Sequence, residues 1–242
     1  LTSAQVAALT TSAFAALTTA DLAALTSAAA AGITTAHIGT LDSADIVALN
    51  TDIANMSTAA MATLTSAQLA AFTTAQAATL DSADIAALTS GAFDGFTTAD
   101  LDALTSAALA GMTAGQVDTL NSADIQALGT DIANMNTSAM ASLDSAQVAA
   151  LTTAQIAAFD SVDVAALINT AVIGLSSAQV AVLSSSAFNA LGTGALAALT
   201  NSAVAGMTTA QIGTLDTADI VALNTDIANL STAAMATLSS AQ

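Results

Sequence analysis

Leu1-Thr-Ser-Ala-Gln-Val-Ala-Ala8, Leu9-Thr-Thr-Ser-Ala-Phe-Ala-Ala16 and Leu17-Thr-Thr-Ala-Asp-Leu-Ala-Ala24 open the chain, and variants of the same octad fill the rest of it. The consensus is Leu, Thr, Ser/Thr, Ala, Gln/Asp, Ile/Val/Leu, Ala, Ala/Gly. A fixed short period marks a repeat architecture. Neither regular conformation can run through it unbroken. In a continuous helix each octad drifts by ~80°, so no apolar stripe stays on one side. In a continuous strand, octad positions one and six have opposite parity and face opposite sides. Each octad must therefore contain its own turn.

The residues place a helix start in every octad. Position two is Thr, Ser, Asp or Asn in most copies and serves as N-cap; position five, often Gln or Asp, then falls at N3 and completes a capping box. Asp there also suits the positive end of a helix. Positions one and six become the two apolar halves of a hydrophobic staple. Leu41-Asp42-Ser43-Ala44-Asp45-Ile46 and Leu143-Asp144-Ser145-Ala146-Gln147-Val148 carry all these signals together. Met56, Met61, Met135 and Met140 sit at staple positions and read as core fillers. Gly32, Gly95, Gly111, Gly174 and Gly206 close octads and read as points where the chain leaves a helix. Helices this short are unstable alone and must stack. The expected fold is all-α: a repeat solenoid of very short helices, one per octad. A β-solenoid is the alternative, supported by Thr, Ile and Val but opposed by the abundant Ala.

A longer period overlies the octads. Leu49–Asn55 recurs nearly unchanged as Leu128–Asn134 and Leu223–Asn229, each an octad short of one residue. These septets divide one continuous array, 1–242, into blocks 1–79, 80–174 and 175–242. The first two blocks, of 79 and 95 residues, differ by 16, which is two octads. Capped units also tend to alternate with units bearing Ala at position five, as at Ala13, Ala29 and Ala60. Both features predict about two octads per coil. Asn55, Asn134 and Asn229 are the expected seats of a left-handed irregularity. The array starts and stops within the repeat and reads as a fragment of a longer chain.

Composition narrows function. The chain of 242 residues has no Lys or Arg and 18 acidic residues, all Asp, for a net charge of −18. Nucleic-acid binding requires cations to displace phosphate counterions, and anionic lipid surfaces repel this chain for the same reason. Mean hydropathy is +0.73. Even so, polar residues interrupt every octad, and no run reaches the ~18–20 apolar residues of a membrane span. Absence of Cys removes disulfides and thiolate metal sites.

Candidate chemistry is sparse. Asp pairs three apart recur: Asp42 with Asp45, Asp81 with Asp84, Asp160 with Asp163, and Asp216 with Asp219. Such pairs are weak calcium candidates, since Ca²⁺ takes six to eight oxygens. N-cap and N3 duty accounts better for Gln, Ser and Thr at equivalent positions. His37 is the one histidine and replaces a Gln at position five. No catalytic residue and no required cofactor is expected, with calcium as the one ion to consider. Asn-x-Ser motifs start at Asn55, Asn136 and Asn229, in a Ser-rich chain where chance produces several.

Octads of the form Leu-Thr-Thr-Ala-Gln-Ile-Ala-Ala, as at Leu151–Ala158, resemble tracts of large bacterial secreted and surface proteins. The resemblance implies an extracellular or cell-surface architectural role without an active site. The leading expectation is a structural segment of a fibre, filament or surface stalk that self-associates. A calcium-dependent adhesin or surface-layer segment, with a surface glycan or cations as partner, is a second reading. Ice or crystal-surface binding through Thr ranks is a third.

Overall fold

A computed structural model describes all 242 residues, Leu1–Gln242. It contains α-helices of four to six residues and three 3₁₀ helices, with no strand. The β-solenoid alternative is thereby excluded. The α-helices are numbered α1 (Ser3–Ala7) to α27 (Thr232–Met235) in chain order. The 3₁₀ helices η1 (Asn50–Asn55), η2 (Gly129–Asn134) and η3 (Asn224–Asn229) occupy the last six residues of the septets.

All but two of the α-helices start with the capping side chain that the octad dictates. In α14 (Ala114–Val117) the Thr113 hydroxyl accepts the Gln116 N–H at 3.3 Å, while the Gln116 side chain accepts the Thr113 N–H at 2.9 Å. The box closes in the same way in α1 with Gln5, in α3 (Thr19–Ala23) with Asp21 and in α5 (Thr35–Ile38) with His37. Positions one and six form the core: Ile38, Ile46, Met61, Ile85, Met140 and Leu143 have no exposed surface. Burying one such side chain contributes roughly 1.5–3 kcal/mol. This packing, rather than helix propensity, is what holds elements of one or two turns.

The chain divides into two compact units, Leu1–Thr119 and Leu120–Gln242. In each unit a helix packs on the third one after it. In the first unit α1 packs on α4 (Ser27–Ala30), and α3 on α6 (Ser43–Ala48). In the second, α17 (Ser145–Ala150) packs on α20 (Asn169–Val172), α20 on α23 (Thr193–Ala198), and α23 on α26 (Thr217–Ala222). A coil therefore holds three octads, one per side of a triangle, not the expected two. Three staples converge on one axis and enclose it, whereas a flat pair would leave each staple half open. The two-octad insertion is thus part of a coil. The alternation at position five has a packing counterpart instead. Units with Ala there often bury a bulkier residue next to it, as at Phe14, Met61, Phe93, Met140 and Phe188.

Two backbone expectations need correction. The octad-closing glycines do not adopt a left-handed conformation. They let the next coil come close. A Cβ on Gly32 would lie 2.1 Å from the Ser3 carbonyl oxygen, and one on Gly111 2.0 Å from that of Ser82. Gly95, Gly174 and Gly206 meet Ser66, Ser145 and Ser177 in the same way. The left-handed residues are Asn50 (φ 48°), Gly129 (φ 54°) and Asn224 (φ 48°), the second residue of each septet. Asn55, Asn134 and Asn229 instead end the 3₁₀ helices, each donating a side-chain N–H to the carbonyl three residues earlier. The left-handed residue follows directly on the C-cap of a full six-residue α-helix and opens the 3₁₀ helix, and Asn and Gly are the residues that tolerate this conformation.

Candidate functional site: the rungs between coils

Where position five is Gln, the amide does two jobs. Its oxygen closes the capping box, and its nitrogen reaches the coil below. Gln116 Nε2 donates to the carbonyls of Ile85 (2.7 Å) and Leu88 (2.8 Å). Gln68 donates to Ile38 and Leu41, Gln179 to Val148 and Leu151, and Gln211 to Val180 and Leu183. Gln147 donates to Leu120, and Gln242 to Ile212 and Leu215. These carbonyls belong to octad position six, within or at the end of a helix of the neighbouring coil, and to position one of the octad that follows it.

The septets join the same ladder. Gln76 donates to Ile46 (2.7 Å) and Asn50 (3.0 Å), and Gln155 to Ile125 (2.7 Å) and Gly129 (3.0 Å). The left-handed residue thus turns its own carbonyl toward the rung, and the shortened unit keeps the ladder intact. The side-chain polar atoms buried in these rungs all have partners.

His37 is a rung as well. Its Nδ1 accepts the Thr34 N–H at 3.2 Å and its Nε2 lies 2.9 Å from the Leu9 carbonyl oxygen. These partners require an unprotonated Nδ1 and a protonated Nε2, a neutral ring that copies the Gln amide. The ring stacks on Phe14 with centroids 4.3 Å apart and 2% of its surface exposed. The sequence placed His37 at a capping position; its reach to the neighbouring coil was missed. The available signal was that Gln and His share an acceptor at one end and a donor at the other.

The four Asp pairs, considered above as calcium candidates, occupy helix starts, and their oxygens are turned onto backbone N–H groups. Asp42 Oδ1 accepts the N–H groups of Ala44 (2.8 Å) and Asp45 (3.0 Å), and Asp45 Oδ2 accepts that of Asp42 (3.2 Å). Asp81 with Asp84 and Asp160 with Asp163 repeat this arrangement. So does the last pair: Asp216 Oδ1 accepts the N–H groups of Ala218 (2.7 Å) and Asp219 (2.9 Å), and Asp219 Oδ2 accepts that of Asp216 (3.0 Å). Each pair, from Asp42 and Asp45 to Asp216 and Asp219, is thus a closed capping box. Nowhere do three His or Asp side chains converge where they could hold a metal ion, so the structure does not gather these residues into a calcium site. The physical reason is that pairs on separate octads face their own helix starts rather than one another. Asp84 and Asp163 are buried, and burial pushes both carboxyls above the ordinary carboxylate range. The N–H groups of Asp81 and Asp160 pull the other way, and the charges of those residues add to the rise. Asp21 is exposed, and hydrogen bonds from the Thr18 hydroxyl and N–H hold its carboxyl below that range.

The surface has no pocket. No helix is long and apolar enough to cross a membrane.

A capped octad, stacked three to a coil and tied by amide rungs, defines a helical repeat protein of the solenoid class. A sequence model of the ALTTAQ repeat matches residues 94–130, 130–161, 156–193 and 188–225, which together make up just over half of the chain. The chain belongs to the ALTTAQ repeat family. Ala150-Leu-Thr-Thr-Ala-Gln155 spells that motif here, and its letters are the staple Leu151, the N-cap Thr152 and the rung Gln155. Neither the curated proteins nor the solved structures contain a match to it.

Proposed function

We propose that this chain is a non-catalytic structural segment of a bacterial extracellular fibre, filament or surface stalk, built by self-association of copies. One observation carries the reading. Within each unit successive coils are tied by the same rung, and no octad differs from the others in the way a reactive or ligand-binding centre requires. Small-molecule sites are concave and few per protein, and the pocketless surface supports an architectural role over such chemistry. The all-Asp charge favours a solvated exterior that repels polyanions. Lack of Lys and Arg also removes every site for proteases that cut after cations, which suits an exposed fibre.

Negative-stain microscopy of the purified chain tests this. Fibres or end-joined particles that grow with concentration are expected. Separate compact particles at every concentration would overturn the proposal.

A further inference from the structure

Charge is spread along most of the chain, but Val164–Leu215 contains no charged side chain. That stretch holds six helices, α20 to α25 (Thr209–Ile212), or two full coils of the second unit. Two further features fall in the same place. Among the α-helices, only α20 and α23 lack a capping side chain, with Ile168 and Gly192 in the N-cap position. These two helices stack directly on one another, flanked above and below by α26 and α17, whose N-caps are Asp216 and Asp144. The row Asp144, Ile168, Gly192, Asp216 therefore loses its polar caps in the middle. Ile168 and Ile173, at the two ends of α20, are each 48% exposed, and Val221 on α26 is 71% exposed. No Cβ projects at Gly192, which has open space around it.

Replacing a capping side chain by an exposed isoleucine costs helix stability and gains nothing within the chain. Local rules broken without internal compensation mark functional surface. We infer that the α20–α23 face docks a second copy of this chain. Electrostatics selects that occupant. With a net charge of −18 and no Lys or Arg, two copies that meet through the charged stretches set like charges against each other, and Val164–Leu215 is the longest stretch free of them. Here two copies bring uncharged surfaces together, with the exposed Ile168 and Ile173 among Asn169, Thr170 and Thr193, and glycine lets them approach closely. The inference rests on the self-association proposed above and names its contact face.

The test is sedimentation equilibrium of the chain and of a double variant, Ile168→Asp with Gly192→Asp. Both positions have extended N-cap backbones, and Asp at the equivalent positions of α17 and α26 caps its helix. The variant therefore folds, which an unchanged helical circular dichroism spectrum verifies. Thr10→Asp, an exposed N-cap in the first unit, adds charge elsewhere as a control. Expected are concentration-dependent association of the chain and the control, strengthened by salt as charges are screened, and at least a tenfold weaker association of the variant. Association equally strong in the variant overturns this contact face and leaves self-association standing. A chain that stays monomeric throughout, as it would if the face served a different partner, overturns both. Equal weakening by Thr10→Asp shows general repulsion and also overturns the assignment.

Discussion

Gln116→Met separates the rung from the cap. Gln116 is fully buried; its amide accepts the Thr113 N–H and donates to the carbonyls of Ile85 and Leu88. Met keeps the length and removes the polar atoms. The Ile85 carbonyl retains the Leu88 N–H at 3.2 Å, so the groups left bare are the Thr113 N–H and the Leu88 carbonyl. The Leu88 carbonyl belongs to a buried residue, and leaving it without a partner costs about 1–3 kcal/mol, while Thr113 is exposed and loss of its N–H partner adds at most about 1 kcal/mol. Gln5→Met is the matched control. Gln5 closes the same box from the surface, its oxygen accepting the Thr2 N–H. Water replaces that bond, and the loss should be at most about 1 kcal/mol. Urea unfolding followed by helical circular dichroism measures both variants. Stability in a repeat array sums unit and interface contributions, so native-state amide exchange localises the loss. Protection should fall in α14 and in α10 (Ser82–Ala87), the helix that supplies the Ile85 carbonyl, for Gln116→Met, and only near the first helix for Gln5→Met. If the two variants agree within ~0.5 kcal/mol, the rungs contribute nothing beyond capping and the reasoning fails.

Gly111→Ala drives a Cβ into the Ser82 backbone and should destabilise by about 1–3 kcal/mol, whereas Gly91→Ala meets no atom within 4 Å and should stabilise by up to ~1 kcal/mol, both read by thermal melts. Asn50→Gly should be close to neutral, as Gly129 already shows at the matching place, while Asn50→Val should cost roughly 1–3 kcal/mol in the left-handed region. For Asp84 and Asp163 the raised folded pKa means the folded state binds protons more readily than the unfolded one, so their burial penalty applies in full at neutral pH and is relieved as pH falls through the raised value. Asp84→Asn should therefore stabilise at pH ~7 and lose that advantage in acid, a trend that paired urea melts across pH check. Calorimetric titration with Ca²⁺ should show no saturable heat attributable to the Asp pairs; a stoichiometric site abolished by Asp42→Ala or Asp219→Ala would contradict their assignment as caps.

Local structure was legible because its causes are local. Leu41, Asp42, Asp45 and Ile46 lie within six residues of one another, and the staple and box they form require nothing from elsewhere. The number of octads per coil was not legible, because it depends on how many staples are needed to enclose an axis. The glycines misled for a related reason. Gly32 reads as a helix stop in sequence, and only the Ser3 carbonyl of the neighbouring coil shows that space is what it provides. One signal was present and unused. Asn50, Gly129 and Asn224 exchange Asn with Gly where most octads carry a Thr, Ser or Asp cap, the substitution pattern of a left-handed residue. The rungs left a trace too, since a cap needs only an acceptor and Asp supplies one. Gln recurring where Asp would suffice implied work for the second end of the amide.

The rungs also give the stack a grammar of direction. Each Gln that forms a rung from octad position five donates backwards along the chain, to carbonyls 26 to 31 residues earlier. A coil therefore has a donor edge and an acceptor edge, and within either unit the edges match in one sense only. Within a unit three octads return the chain to the same side, so gain or loss of one octad turns the rest of that unit by a third of a revolution, while changes in threes are silent. Length in such an array has a frame, much as a coding sequence does. Its exposed patches stay aligned only among variants that respect it.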